Sequence, residues 1–311
     1  MKRMLLCSIC AFQIYSSLVP ALAEQVQSTT EESKTVDDLV TAFSSATYFW
    51  QQGDVAWELI ALGDPEIIPK IEKYLDVDDR RRRCNAGLVL AGLGDKRGLA
   101  IIINELQDKT PRSTDLIRSD GKANPKGQMR SDRYYAALLL GQLGNKEAVP
   151  ALIQATKDVT INYIAAISLG DIGDKSAVPA LRKMAKDFPD QRLWAGYGLA
   201  ALGESEGFDM LTGVILSDSH WTQRRHAVRA LGKIGDPKAV TTVLKALKDK
   251  HVNVRVSAAR ALGQIGDPVA LPALTEALSD TEVTQVNAPT TVEAEARKAI
   301  EAIKAKKGDE A

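Results

Sequence analysis

Apolar residues return along this chain in a single register. Leu59, Leu90, Leu140, Leu169, Leu199, Leu231 and Leu262 each stand four residues before a glycine: Gly63, Gly94, Gly144, Gly173, Gly203, Gly235 and Gly266. One residue before those glycines is Leu62, Leu93, Leu143, Ile172, Leu202, Ile234 or Ile265, and eight before is Ala in all units but the first, which has Val55. Offsets of eight, four and one share a face of a 3.6-residue helix, so each unit opens with an amphipathic helix. Three before the glycine is a small residue in six units (Ala91, Gly141, Gly170, Ala200, Gly232, Gly263), which predicts close approach between neighbouring helices. The glycine suits a left-handed helix end, and the Asp after it, as in Asp236-Pro237, suits a cap or turn. Pro69, Pro150, Pro179 and Pro272 then mark the first turn of a second helix with its own apolar residues, such as Leu271, Leu274 and Leu278.

The glycines are spaced by 31, 50, 29, 30, 32 and 31 residues, so seven units share one period with one long insertion. A 30-residue helix pair buries little alone, whereas stacked pairs bury a continuous core. The predicted fold is therefore all-α: a right-handed α-solenoid, or α-α superhelix, of about seven helix pairs over residues 36–308. Its ends read as helical caps, residues 36–50 as one amphipathic helix and residues 292–308 as another. Eleven residues before five of the glycines stands Arg83, Arg133, Arg192, Arg224 or Arg255. A cation there is disfavoured by the helix dipole, so its recurrence implies a partner. The expected partner is the end of the preceding second helix, its carbonyls and an Asp such as Asp218 or Asp249, making a structural ladder. Arg80 to Arg83 read as one rung plus a solvated basic face.

The phrase VRVSAARALGQIGDPVALPALTEALSD, residues 254–280, resembles the HEAT-like repeats named after phycobilisome lyases, and the resemblance covers roughly residues 53–305. It implies the armadillo-like helical fold. For function it leaves several classes open, because such repeats occur in lyase subunits, in an iron-dependent hydroxylase and in scaffolds. The hydroxylase, deoxyhypusine hydroxylase, holds iron through adjacent His-Glu pairs. None of His220, His226 and His251 stands beside a Glu, so that activity is not implied here.

Residues 1–23 have Lys2 and Arg3, an apolar run and the ending Ala21-Leu22-Ala23, and read as a secretory signal peptide. Cleavage would leave a chain beginning at Glu24, periplasmic or secreted, with 38 basic and 40 acidic residues and Cys84 as its one cysteine. That balance does not favour nucleic acid, and no internal disulfide can form. Residues 24–35 read as a disordered lead-in and 309–311 as a tail. No integral membrane segment is expected after cleavage. Cys84, beside the Arg run but with no His near it in the sequence, reads as a small buried residue. No catalytic residue, metal site or cofactor is expected.

What interrupts the rule is an insertion loop at 109–132, with six basic and three acidic residues and the tripeptide RSD twice. It and the shorter residues 281–291 fall at equivalent junctions, hence on one edge of the array. Candidate binding residues are Arg112, Arg118, Asp120, Arg130 and Asp132 of the insertion, Tyr134, Tyr135 and Trp194 of the aromatic group after it, and Lys183 and Lys245 on second helices. Those second helices are expected to form the concave side. Unequal offsets among Tyr134, Tyr135, Tyr163, Trp194, Tyr197 and Trp221 give no reason to expect one row. The functional expectation is a non-enzymatic exported scaffold for a protein or peptide. The alternative is a lyase-type enzyme or chaperone of a flat, bilin-like cofactor.

Overall fold

The computed structural model describes residues 34–111, 125–217, 219–284 and 289–309. The signal peptide, nearly all of the lead-in, Arg112, Arg118, Asp120, Asp218 and residues 285–288 and 310–311 lie outside them. The described residues hold sixteen α-helices, the longer ones stacked as an α-solenoid. Helix α1 (Val36–Ser45) precedes seven pairs: α2 (Phe49–Leu62) with α3 (Ile67–Ile71), α4 (Arg80–Gly92) with α5 (Lys96–Gln107), and α6 (Pro125–Leu143) with α7 (Val149–Ala155). Then come α8 (Asn162–Ile172) with α9 (Val178–Asp187), α10 (Arg192–Ala201) with α11 (Ser205–Leu216), α12 (Trp221–Ile234) with α13 (Val240–Ala246), and α14 (Val252–Ile265) with α15 (Leu271–Glu276). The last helix, α16 (Val292–Asp309), closes the array against α14 and α15.

Local chemistry sets the helix ends where the period places them. All seven repeat glycines have positive φ, and they are the chain's only described residues that do. Six of them would give an added Cβ no neighbour within 4 Å, so backbone conformation and not space demands glycine there. The next residue caps the following turn: Asp95, Asn145, Asp174, Asp236 and Asp267 each accept a bond from the backbone N–H two residues on. Pro150, Pro179 and Pro272 then occupy the first turn of α7, α9 and α15. In the core, all seven leucines at the fourth position before the glycine are completely buried.

Two sequence boundaries need correction. The N-terminal cap is not one helix over 36–50, because α1 ends at Ser45 and Phe49 and Trp50 open α2. Ser44 and Ser45 turn their hydroxyls back to the Thr41 carbonyl, and the Tyr48 N–H is taken by Gln51 at the start of α2. The insertion is also shorter than 109–132, since residues 125–132 are helical and form the first turns of α6. Arg81 holds that extension by bonding Asp132 at 2.9 Å and the Ser131 hydroxyl at 2.6 Å.

The ladder exists with a different pairing. Arg133, Arg224 and Arg255 each bind an Asp 25 residues downstream: Asp158, Asp249 and Asp280, all at 2.7 Å. Among the described residues they also reach the preceding junction through its backbone, at Leu106 O, Ser219 O and Asp249 O. Arg83 does likewise with Glu105 and Val77 O. The downstream Asp wins because it also caps its own junction; Asp249, for one, accepts the His251 N–H. Each guanidinium therefore ties both ends of its unit's helix pair. Arg192 is not a rung: it is exposed, and Ser217 stands 25 residues on. Nor do its neighbours leave Arg83 on a solvated face. Arg80 bonds Asp108 at 2.6 Å, and Arg82 bonds the carbonyls of Ala46 and Thr47.

The two layers are unequally packed, and this determines which side is concave. Most even-numbered helices lie against one another along their length, whereas the odd-numbered helices barely touch. Small residues allow that approach: a Cβ on Gly141 would sit 2.8 Å from Ser168 Cα, and one on Gly232 2.8 Å from Ala261 Cα. A stack more tightly spaced on one side curves around that side. The inner face therefore belongs to α2, α4, α6, α8, α10, α12 and α14. Lys183 on α9 and Lys245 on α13 are on the outer layer, contrary to the sequence expectation.

Candidate functional site

The inner layer carries rings that do form one row. Tyr134 lies 5.7 Å from Tyr163, Tyr163 is 6.1 Å from Trp194, and Trp194 is 5.3 Å from His226, between ring centroids. The four residues come from α6, α8, α10 and α12, one per successive helix. Their offsets from the repeat glycine differ by one, but large rings bridge that 100° step of the helix. The tyrosines and Trp194 are half-buried and His226 is 8% exposed. Desolvation raises the Tyr134 hydroxyl well above its ordinary range. It also pushes Tyr163 up to about 12, against the pull of nearby Arg130. Arg130 is exposed at the start of the row.

Beside the end of this row lies a group of cations that the sequence reading passed over. Arg225, Arg229 and Lys233 are spaced by four on α12 and share one face. Arg260 holds the place on α14 that Arg229 holds on α12, six residues before the glycine. Burial, with Arg225 and Arg229 close by, lowers His226 to about 3, so the imidazole in the row is neutral. The same desolvation, with Arg225 and Arg260 as neighbours, brings Arg229 down to about 10. Lys233 bonds both oxygens of Asp171 at 2.8 Å, and Tyr197 donates its hydroxyl to the same carboxylate. Arg260 bonds Glu295 at 3.0 Å, and Glu295 also takes Lys298 at 3.2 Å. The stripe of cations in RRHAVRALGK was legible in the sequence as a four-residue spacing; its neighbours on α10 and α14 were not.

Other predicted residues have structural work. Tyr135 is 6% exposed and donates to Asn85 at 2.6 Å, within a buried network reaching Gln52. Asp132 is 1% exposed and is held by Arg81 and Gln128. Neither is presented on a surface, so both leave the set of binding candidates. Arg130 and Asp132 are thus separated although they are close in sequence. Lys183 pairs with Asp187 on its own helix at 2.8 Å. His220 and His251 cap α12 and α14, accepting the N–H groups of Thr222 and Asn253, and Trp221 stacks on His251 at 4.2 Å. Among the described residues, no three His, Cys, Asp or Glu side chains gather as a metal site, and no helix is long and apolar enough to cross a membrane. Cys84 is buried, and desolvation raises its thiol well above the ordinary value.

Stacked helix pairs, glycine-ended first helices and a shared core define an all-α repeat protein, in which recognition is a property of the surface that the stack presents. The chain belongs to the family of HEAT repeats, whose model matches residues 128–200 and 208–291, just over half its length. No curated protein matches it. Among solved structures, the complex of CpcE and CpcF of phycocyanin lyase from Nostoc sp. PCC7120 is 23% identical, with a TM-score of 0.48, over 77% of this chain and 94% of that one. Human deoxyhypusine hydroxylase in complex with glycerol is 19% identical, with a TM-score of 0.35, over 87% and 96%. A designed armadillo repeat protein in complex with a (KR)4 peptide is 17% identical, with a TM-score of 0.33, over 87% and 100%.

Proposed function

We propose that this chain is a non-enzymatic exported scaffold that holds a protein or peptide on the inner face of its solenoid, with the junction loops forming one edge of the site. The observation that carries the reading is the half-buried ring row from Tyr134 to His226 running into the cations of α12 and α14. Four helices at the usual 8–10 Å spacing make this face about 30 Å long, the length of an extended peptide of about nine residues. Rings supply apolar contact at low cost in side-chain entropy, and a cationic end supplies direction.

The test is capture from exported extract by the immobilised full chain, with Trp194→Ser as the control. One retained polypeptide, lost with Trp194→Ser and eluted by salt, is expected. Equal retention by the variant would refute the face. Export is tested separately: a secreted or periplasmic form should begin at Glu24. The same rings would also suit a flat cofactor, as the lyase-type alternative requires, and visible absorbance by the purified protein would decide for it.

A further inference from the structure

The arginine rungs stop in the middle of the array. Arg83 and Arg133 tie the second and third helix pairs, and Arg224 and Arg255 tie the sixth and seventh. In the fourth pair, α8 with α9, the same place holds Asn162. It is completely buried, and among the described residues neither polar atom of its side chain has a partner. The carboxylate 25 residues on, Asp187, pairs instead with Lys183 on its own helix at 2.8 Å. In the fifth pair, α10 with α11, Arg192 is exposed and the residue 25 on is Ser217. No rung therefore ties α9 to α7 or to α11, and it barely touches either helix. Arg182 does join α9 to Glu204 and Glu206 at the start of α11, but through exposed side chains that water screens. Helix α10 is itself soft, since two of its ten residues are Gly196 and Gly198, and glycine weakens a helix interior. A Cβ added to Gly198 would lie 2.7 Å from the Ala166 carbonyl oxygen. Backbone thus rests on backbone between α8 and α10, a contact about which the two halves can turn.

Across this gap the inner face is bridged. Lys233 on α12 reaches past α10 to Asp171 on α8 and bonds both carboxylate oxygens at 2.8 Å. Its ammonium lies 5.4 Å from the centre of the Tyr197 ring on α10, and Tyr197 donates its hydroxyl to the same carboxylate. One ion pair gathers three successive inner helices, and a bond on the concave side that skips a helix holds curvature. The side chains of Lys233 and Asp171 are 39% and 23% exposed, so salt reaches them. We propose that the fourth and fifth helix pairs are the hinge of the solenoid, and that Asp171, Tyr197 and Lys233 are the clasp that keeps it closed on the inner side. With the clasp released, the two halves braced by rungs swing about the contact of α8 with α10, and the inner face widens. The ring row crosses the hinge, from α6 to α12, so the spacing of its rings follows the curvature. The device belongs to the chain alone and goes beyond the scaffold reading.

The experiment uses the full chain, with amide exchange to read local opening and small-angle X-ray scattering to read curvature. Amides of α9, α10 and α11 should exchange about tenfold or more faster than those of α12, α13 and α14. Lys233→Gln should raise the radius of gyration and speed exchange in α10 further, whereas Lys233→Arg should stay closed. Raising salt from about 0.05 M to about 1 M, where the screening length is about 3 Å, should open the wild type in the same way. Ser217→Asp gives Arg192 a carboxylate at the rung spacing and should slow exchange in α9, α10 and α11 about tenfold. Arg192→Gln/Ser217→Asp should lose that slowing. Wild-type exchange in α9, α10 and α11 as slow as in α12, α13 and α14, or no slowing in Ser217→Asp, would overturn the hinge. A radius of gyration that neither Lys233→Gln nor salt changes would overturn the clasp. None of these measurements needs a partner, so their outcome is separate from that of the capture test.

Discussion

Replacing Arg224 with Gln should remove one complete rung of the ladder. Its guanidinium bonds Asp249 through Nε and Nη2, at 2.7 and 2.8 Å, and donates Nη1 to the Ser219 carbonyl. The Arg224 and Asp249 side chains are 4% and 10% exposed, so water screens the pair little. Breaking a buried pair from one side costs about 3–5 kcal/mol, because the other charge stays behind. Asp249 keeps the His251 N–H at 2.8 Å, which places the expected loss near the lower end, about 3 kcal/mol. Arg182→Gln is the reference: its side chain is 51% exposed beside Glu204 and Glu206, where water screens the pair, so its loss should be small. Urea unfolding gives the difference, and amide exchange should place the loss in α12, α13 and α14, because repeat stability is local. Acid supplies a second check. Burial pushes the Asp249 carboxyl up, but its bonds from Arg224 and His251 outweigh this and hold it below the usual range. A carboxyl lowered on folding stabilises above its unfolded pKa of about 3.9 and ceases to as pH falls through the folded value. The gap between wild type and Arg224→Gln should therefore be full at neutral pH and narrow below about pH 4. A loss no larger than that of Arg182→Gln, or a gap unchanged in acid, would refute the reasoning.

The remaining predictions separate other contributions. Arg192→Gln, at the place where no rung forms, should change stability by less than about 0.5 kcal/mol in the same urea titration. Gly235→Ala should cost about 1–2 kcal/mol from its φ of 72° alone, with nothing in the way of the methyl group. In Gly141→Ala the new Cβ would meet Ser168 Cα at 2.8 Å, so it should cost about 1–3 kcal/mol and loosen α6 against α8, seen as faster amide exchange there. His226 is neutral when folded, with a pKa of about 3, while the unfolded residue takes a proton below about 6.5. Stability should therefore fall as pH drops from about 6.5 toward 3, by up to about 1.4 kcal/mol per unit, and His226→Phe should flatten that slope.

Residues that act on their near neighbours along the chain could be read without a structure. The repeat leucines, the positive-φ glycines and the capping Asp residues answer to helical periodicity and local backbone chemistry, and all appear where the period puts them. The Arg recurring before five of the glycines was also legible as needing a partner, since a cation at a helix start has an electrostatic reason to seek one. Which partner it takes was not, because Asp249 is within reach of two arginines, taking Arg224 on its carboxylate and Arg255 on its carbonyl, and the choice depends on how one helix pair leans on the next. The concave side was misassigned for the same kind of reason. It follows from the difference in spacing between two layers, which is a sum over many side-chain volumes and over the close contacts at Gly141 and Gly232. The ring row and the shared register of Arg229 and Arg260 depend on that spacing too. Sequence by itself determined the repeating unit and most of its helix ends, because those are set within about a dozen residues, but not the break after Ser45 or the helical start at Pro125. Only the tertiary structure decided which helices face inward, and so which side chains a partner can reach, because curvature arises from packing between units and not within them.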